Sequence, residues 1–265
     1  MSKPFLRWAG GKRWFVNQHN KLFPNRFNTY IEPFLGSGAI FFNLNPEKSI
    51  LGDSNAELIE TYQAIKDNPS LVRRYLLNHH KNHNKDYYYK IRLSTPRSSY
   101  TRAARFIYLN RTCWNGLYRV NQKGWFNVPI GTRTSVIFDD DDFEETSSLL
   151  VNTQLISSDF EYLIDRAGEN DLIFADPPYT VRHNHNGFVK YNEKIFSWYD
   201  QERLSYALKR AKNRGAIIVS TNAYHDCIKE LYEDSFDIFP TSRLSSISSK
   251  ASTRKKYEEL IVCSR

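Results

Sequence analysis

A rigid acidic tetrapeptide that directly follows an apolar run constrains the fold of this chain more than any other feature. Leu172 to Ala175 is uninterrupted and apolar, and Asp176-Pro177-Pro178-Tyr179 follows it without a break. A short apolar run bounded by prolines is typical of a buried strand in a parallel sheet. Because α/β proteins bind ligands at the carboxyl ends of such strands, the pattern places Asp176 at a binding edge.

Other segments of the chain show strands that alternate with helices. Tyr30 to Phe34 reads as a strand that enters a Gly-x-Gly turn, and Thr153 to Ser157 is also extended in character. Ala216 to Val219 follows a helix that we expect Asp200 to cap and Gly215 to end. Alternating strands and helices predict an α/β fold with a mainly parallel sheet.

The positive charge is concentrated in the middle of the chain. The net charge is +8, yet the stretch from Lys66 to Arg133 contains fourteen Lys or Arg and only two acids, which makes it +12 and the remainder −4. A basic stretch of this kind favours phosphate binding, because neutralised phosphates release counterions. The alternative is an ordinary solvated surface.

The apolar spacing at 58–66, 71–79 and 100–108 predicts helices in this basic stretch and just before it.

The cysteines and apolar runs narrow the class of protein. The three cysteines are far apart and lack a C-x-x-C pair, so we expect neither disulfides nor a zinc site. No apolar run approaches the roughly 18 residues needed to span a bilayer. His183 and His185 form an H-x-H pair that we interpret as part of a loop, since no third ligand is identifiable. We therefore expect a cytoplasmic protein with no membrane association and no metal.

Two glycine-rich segments near the N-terminus are candidates for a cofactor site. The Gly36-Ser37-Gly38 turn allows close approach to the backbone. Asp53 follows the short apolar pair Ile50-Leu51, and an acid at the end of that strand could accept ribose hydroxyls. Upstream, Trp8-Ala9-Gly10-Gly11-Lys12 offers an aromatic face and an amine that could pair with a carboxylate. The alternatives are an ordinary strand–helix turn, a packed tryptophan and a solvent-exposed lysine.

The tetrapeptide presents hydrogen-bond acceptors and a ring. The two prolines fix φ and remove backbone donors. If the Asp176 carboxylate and the Pro177 carbonyl accept both hydrogens of an exocyclic amine, the nitrogen lone pair is directed at an electrophilic methyl group, and Tyr179 can stack on the base. Positioning and electrostatics then supply most of the rate. The alternative is a simple turn with a packed tyrosine.

Taken together and in this order, the motifs resemble the Dam family of DNA adenine-N6 methyltransferases, the D12 class with the alpha-type motif order. The resemblance rests on W-A-G-G-K, E-P-F-L-G-S-G-A, Asn115 to Asn121, Phe126 to Pro129 and D-P-P-Y. It implies a Rossmann-like methyltransferase sheet formed by residues 1–54 and 146–265. It also implies an inserted, mainly helical target-recognition domain with a β-hairpin at residues 55–145.

The resemblance also assigns roles to residues. It implies S-adenosylmethionine as cofactor, double-stranded DNA as partner and no obligate protein partner. The residues implied to bind the cofactor are Trp8, Ala9, Gly10, Lys12, Glu32, Pro33, Phe34, Gly36, Ser37, Gly38, Asp53, Asp159, Phe160 and Asp176. The residues implied to act on the target base are Asp176, Pro177 and Tyr179. Those implied to contact DNA are Arg7, Trp114, Asn115, Leu117, Arg119, Asn121 and Pro129.

The expected reaction is methyl transfer to N6 of an adenine extruded from duplex DNA. Many members of the family act at GATC, and Arg119 is suited to reading a guanine there. Trp114 stands where relatives often have a tyrosine and is expected to act as a wedge. The alternatives that stay open are transfer to cytosine N4, to RNA adenine or to a protein glutamine amide, a catalytically silent DNA-binding module, and a nucleotide-binding regulator on the same fold.

Overall fold

A computed structural model describes residues 3–121, 123–181, 196–244 and 256–264. The chain forms two compact units. The first contains residues 1–16, 35–45 and 55–157, and the second contains residues 17–34, 46–54 and 158–265. The pair His183 and His185 lies outside the described residues.

Within those residues, seven strands form one sheet in the order β3-β2-β1-β4-β5-β7-β6. Strand β1 pairs in parallel with β2 and β4, and β4 pairs in parallel with β5, whereas β7 runs antiparallel to both β5 and β6. The strands are β1 (Tyr30–Glu32), β2 (Ser49–Asp53), β3 (Thr153–Ser157), β4 (Leu172–Ala175), β5 (Ile217–Ala223), β6 (Asp237–Leu244) and β7 (Lys256–Cys263). The predicted Rossmann-like methyltransferase sheet is confirmed.

The centre of the sheet is apolar because its strands are covered on both faces. All four residues of β4 are buried, and so are Ile31 in β1 and Ile218 in β5. Ile173 is in register with both of these isoleucines. The strand predicted at Leu172–Ala175 is confirmed, whereas β1 ends at Glu32, two residues earlier than predicted.

The helices of the first unit begin at polar capping residues. The side chains of Asn55, Asn68, Asn84 and Ser98 each accept a hydrogen bond from a backbone N–H in the first helical turn. Asn55, Asn68 and Ser98 begin their helices one or two residues earlier than the apolar pattern predicted, and the helix after Asn84 was not predicted. The helices are α2 (Ala39–Leu44), α3 (Ala56–Asp67), α4 (Pro69–Asn82), α5 (Lys85–Leu93), α6 (Ser99–Thr112) and α7 (Phe143–Leu149). Residues 55–145 all lie in this unit, and their role as a recognition domain remains a prediction.

Three helices lie in the second unit, within the part of the chain that the structure describes: α8 (Phe160–Ile164), α9 (Trp198–Asn213) and α10 (Asp226–Tyr232). The prediction that Asp200 caps the helix before β5 was wrong by one turn. Ser197 is the N-cap, and Asp200 accepts hydrogen bonds from the Ser197 backbone N–H and hydroxyl, which forms a capping box. The remaining helix, α1 (Arg13–His19), links the two units in sequence.

A buried arginine anchors the N-terminal segment within the first unit. Arg111 of α6 is fully buried, and its guanidinium donates to the Phe5 carbonyl at 2.8 Å and to the Val136 carbonyl at 2.8 Å. The same group pairs with both carboxylate oxygens of Asp141. Because a buried charge must be fully hydrogen-bonded, this set of partners fixes the chain just before Arg7.

Candidate active site

The carboxylate of Asp176 is held by the neighbouring strand. Ala175 is in register with Ser220, so the next pair along the two strands is Asp176 and Thr221. The Thr221 hydroxyl donates to Oδ1 of Asp176 at 2.7 Å, and the Ser220 hydroxyl donates to the Ala175 carbonyl at 2.8 Å. A carboxylate offers about four lone-pair sites, so it can accept more than one hydrogen bond.

The Tyr179 side chain is fixed at its hydroxyl end. The phenol hydroxyl donates to Oε2 of Glu259 at 2.7 Å, and Glu259 is buried in β7. Burial raises the pKa of Tyr179 well above its usual range, and the nearby carboxylates of Asp176 and Glu259 raise it further. The hydroxyl therefore stays protonated and remains a donor.

A pair of buried amides supports the middle of the loop. Nε2 of Gln201 donates to the Pro178 carbonyl at 3.3 Å, and Nδ2 of Asn222 donates to Oε1 of Gln201 at 2.8 Å. Both amide side chains are fully buried. Pro177 is buried as well. The loop is thus held at Asp176, Pro178 and Tyr179 by groups from β5, β7 and α9.

Two predicted cofactor carboxylates lie at the ends of adjacent parallel strands. Glu32 ends β1 and Asp53 ends β2, and β1 and β2 are paired in parallel. Glu32 is buried, and its Oε2 accepts a hydrogen bond of 2.8 Å from the Tyr30 hydroxyl. Burial and the Glu32 charge raise the pKa of Tyr30 well above its usual range. The strand register therefore brings these two acids to the same edge, where α/β proteins bind nucleotides.

Three aromatic rings cluster in the second unit. The rings of Phe34 and Phe160 are stacked, with centroids 5.4 Å apart, and Phe196 meets Phe34 at 5.7 Å and Phe160 at 5.5 Å. The cluster joins two residues that the resemblance assigns to the cofactor. Phe196 was not predicted, because an isolated phenylalanine in sequence carries no sign of its partners.

Asp159 has two roles that sequence reasoning missed. It is the N-cap of α8, where its carboxylate accepts from the Glu161 backbone N–H at 2.9 Å. It also pairs at 2.8 Å with Arg203, whose guanidinium lies over the Phe160 ring at 4.9 Å. Burial would lower the pKa of Arg203, but its hydrogen bonds to Asp159, Glu161 and Asp200 raise it overall. Arg203 therefore stays charged and braces the start of α8.

In the first unit, Trp8 lies against the glycine turn. Gly36 has φ +49°, and a Cβ atom built there would meet Cδ1 of Trp8 at 2.6 Å. The indole also stacks on Tyr118 with centroids 5.9 Å apart. Gly38, with φ +65°, is the N-cap of α2, and Ser37 is buried between the two glycines. The left-handed backbone at Gly36 and Gly38 thus favours glycine at both positions. At Gly36 a side chain would also collide with the Trp8 indole.

The amine of Lys12 is buried, not solvent-exposed. Lys12 is only 4% exposed, and its Nζ donates to the Gly10 carbonyl at 3.3 Å. Gly10 has φ +79°, with open space where a Cβ would lie, and Ala9 is exposed. A buried ammonium beside a left-handed glycine is compatible with an anionic ligand group.

The predicted hairpin is present in the first unit. Val120 bridges Phe126 and Cys113 bridges Ile130 in antiparallel pairs. At the tip, Oδ1 of Asn121 accepts from the backbone N–H groups of Lys123 and Trp125. The side chain of Asn121 is thus committed to holding the turn.

The other predicted DNA residues of the hairpin differ in exposure. Nε of Arg119 donates to Oδ1 of Asn127 at 2.8 Å, which orients an exposed guanidinium. Trp114 is 51% exposed, which suits the predicted wedge. Asn115, at φ 55°, and Pro129 are exposed, whereas Leu117 is half-buried.

Arg7 is attached to the base of this hairpin. Asn110 of α6 accepts from the Arg7 N–H at 2.8 Å and donates to the Arg7 carbonyl at 2.7 Å. A Cβ at Gly116 would meet the Arg7 Cβ at 2.8 Å, so the two segments are in close contact. Burial lowers the pKa of the Arg7 guanidinium, and the charge of Arg133 lowers it further. Both arginines predicted to read DNA therefore lie on elements of one unit.

Within the described ranges, no group of three or more His, Cys, Asp or Glu side chains is placed to hold a metal ion. No described helix is long and apolar enough to cross a membrane.

Comparison with known proteins defines the class. Residues 8–247 match the family model described as D12 class N6 adenine-specific DNA methyltransferase. The chain is 37% identical to the type II methyltransferase M1.LlaDCHI of Lactococcus lactis subsp. cremoris, over 98% of this chain and 94% of the relative. It is 34% identical to the type II methyltransferase M.MjaIII of Methanocaldococcus jannaschii, over 98% of each chain. It is 33% identical to a DNA adenine methylase of Haemophilus influenzae, over 98% of this chain and 92% of the relative.

A mainly parallel sheet with an acidic D-P-P-Y loop at a strand end, together with the family match, identifies an α/β methyltransferase. The chain belongs to the family of D12 class N6 adenine-specific DNA methyltransferases. The family resemblance inferred from the motifs is thereby confirmed.

Proposed function

We propose that this protein transfers a methyl group from S-adenosylmethionine to N6 of an adenine extruded from duplex DNA, within GATC. The observation that carries the proposal is the Asp176 loop. Its carboxylate lies at the end of a central parallel strand and is oriented by Thr221, and its ring residue is held by Glu259. An amine is activated by well-placed acceptors, and this loop is built to hold acceptors still.

The residues present fit S-adenosylmethionine as the cofactor. Glu32 and Asp53 at adjacent strand ends are suited to accept hydrogen bonds from ribose hydroxyls and an amino group. The left-handed Gly36 and Gly38 let a ligand approach the backbone, and the buried Lys12 suits a carboxylate. When bound, the cofactor supplies an electrophilic methyl group. Trp8, Ala9, Gly10, Pro33, Phe34, Ser37, Asp159 and Phe160 complete the proposed binding set.

The protein's own part in the reaction is to hold the amine. The Asp176 carboxylate and the Pro177 carbonyl accept the two N6 hydrogens, which shifts the nitrogen toward tetrahedral geometry. The Tyr179 ring stacks on the extruded adenine. Extrusion costs a few kcal/mol, which stacking and the insertion of Trp114 offset. The N6 nitrogen must lose one proton when it gains the methyl group. Of the two groups that accept its hydrogens, the Asp176 carboxylate is the charged acceptor for that proton.

The recognition proposal rests on the first unit. Arg119 is exposed on a hairpin whose turn is pinned by Asn121, and its guanidinium is oriented by Asn127. Arginine matches guanine O6 and N7 in the major groove. Arg7, tied to the hairpin base by Asn110, is proposed to read a second guanine. Asn115, Leu117 and Pro129 complete the proposed DNA surface.

The test is transfer of labelled methyl groups from S-adenosylmethionine to two duplexes that differ only in whether GATC is intact or scrambled. Nucleoside analysis then identifies the product. N6-methyladenine in the GATC duplex alone supports the reaction, cofactor and site together. Equal label in both duplexes overturns the sequence specificity, and label in neither overturns the proposed site or activity. N4-methylcytosine, or label in RNA alone, overturns the substrate.

A further inference from the structure

The acidic residue Glu259 touches the loop from a distant part of the chain. It lies in the last described strand, 80 positions after Tyr179, and its Oε2 accepts the Tyr179 hydroxyl at 2.7 Å. The residues that follow it, Leu260, Ile261 and Val262, are all buried and apolar. None of the motifs that carry the family resemblance includes Glu259.

The sheet register places Glu259 on the same face as Thr221. Thr221 is paired with Ile261, and Ala223 is paired with Glu259. Because side chains two residues apart on a strand share a face, Thr221 and Glu259 are diagonal neighbours on one face. One of them donates to Asp176 and the other accepts from Tyr179. The two functional side chains of the loop are thus supported by neighbouring positions on a rigid sheet.

The energetics favour a role in orientation over a role in stability. Glu259 is 1% exposed, and removing a carboxylate from water costs several kcal/mol before its partners compensate. A well-packed apolar pair at the same positions is often as stable. What such a pair cannot do is hold the Tyr179 ring at both ends, by its Cα and by its hydroxyl. Two attachments fix where the long axis of the ring lies.

We propose that Glu259 is a positioning residue for methyl transfer, which fixes the position of the Tyr179 ring relative to Asp176. This inference rests on the proposed function. The two prolines between Asp176 and Tyr179 restrict the backbone, so the anchored ring and the anchored carboxylate form one preorganised platform. Glu259 acts through Tyr179 and needs no contact with DNA or cofactor.

The test is a double-mutant cycle on kcat, with the wild type, Glu259→Leu, Tyr179→Phe and the combined variant. Loss of the anchor misplaces the ring, so Glu259→Leu is expected to lower kcat about tenfold or more, with little change in the KM for S-adenosylmethionine. In the Tyr179→Phe background the same change is expected to lower kcat less than about twofold, because the hydroxyl is already absent.

Two further variants control for folding and for charge. Glu259→Gln keeps an acceptor oxygen and is expected to retain kcat within about threefold, which also covers the case where Glu259→Leu does not fold. Glu258→Gln alters the exposed neighbour in β7 and is expected to match the wild type. Urea unfolding of each variant separates loss of structure from loss of rate.

The outcomes are distinguishable. If the wild type transfers methyl groups but Glu259→Leu lowers kcat equally in both backgrounds, or if Glu259→Gln is as impaired as Glu259→Leu, the positioning role is overturned and the proposed function stands. If the wild type transfers no methyl group to DNA, the proposed function is overturned and the inference falls with it. If Glu259→Leu lowers kcat in the wild-type background but not in the Tyr179→Phe background, the positioning role is supported.

Discussion

The Thr221 hydroxyl donates a hydrogen bond to Oδ1 of Asp176 at 2.7 Å, across two parallel strands whose register places the residues side by side. Thr221 is fully buried. The donor is therefore shielded from competing water, and the bond favours one orientation of the carboxylate. Because the Asp176 carboxylate is proposed to accept an amine hydrogen, its orientation matters for the rate.

Thr221→Val removes this donor while keeping nearly the same shape. A hydrogen bond to a charged group contributes about 1.5–3 kcal/mol, so kcat is expected to fall roughly tenfold or more. Steady-state kinetics measure this, and Thr221→Ser, which retains the hydroxyl, is the matched control. A valine variant with wild-type kcat contradicts the proposed role of this bond.

Arg119→Ala is expected to relax discrimination at one base pair of the target. Loss of a bidentate contact to guanine costs roughly 1–3 kcal/mol at that position. The measurement compares kcat/KM on GATC with kcat/KM on duplexes carrying single substitutions. Lys123→Ala, at the exposed hairpin tip, is the control and is expected to weaken all duplexes alike. The same uniform weakening by Arg119→Ala would identify Arg119 as a phosphate contact.

Gly36→Ala is expected to disrupt the turn beside Trp8. Its φ of +49° disfavours a side chain, and the new Cβ would meet the indole at 2.6 Å. We expect a loss of about 1–3 kcal/mol in the free energy of unfolding and weaker binding of S-adenosylmethionine. Urea unfolding and calorimetry measure the two effects. Gly168→Ala, where a Cβ would meet nothing nearer than 3.8 Å, is expected to be nearly neutral.

His79 predicts a pH dependence of stability. Its ring stacks on Tyr108, and its Nδ1 is hydrogen-bonded to the Tyr87 hydroxyl. Burial lowers the pKa of His79 to about 4. The folded state therefore favours the neutral ring, whose contribution is complete above the unfolded pKa of about 6.5 and is lost as pH falls toward 4. His79→Phe is expected to flatten the decline in unfolding free energy between these values. An unchanged slope would show that the histidine does not titrate there.

Local patterns in the sequence predicted the elements that carry the site, but not the groups that hold it. The strand Leu172–Ala175 and the position of Asp176 followed from four apolar residues and two prolines. Thr221 lies 45 positions from Asp176, and Glu259 lies 80 positions from Tyr179, so only the sheet register brings them together. The error at Asp200 arose because Ser197 begins the helix and uses Asp200 as its capping-box partner.

The same limit applies to Asp159 and Lys12. The family resemblance implied a ligand position for Asp159, but its partner Arg203 lies on a helix 44 residues later. Lys12 alone in a sequence is usually exposed, and only tertiary packing buries it. Side chains whose partners are distant in sequence are therefore the ones for which a structure adds most.

The most direct test of the account is single-turnover methyl transfer by Asp176→Ala on a duplex containing GATC, with DNA affinity measured on the same preparation. Transfer is expected to fall by about a thousandfold or more, because the charged acceptor of the amine is lost, while DNA binding stays near wild type. Transfer within about tenfold of the wild type, in a variant that still binds DNA, would contradict the claim that Asp176 holds the target amine.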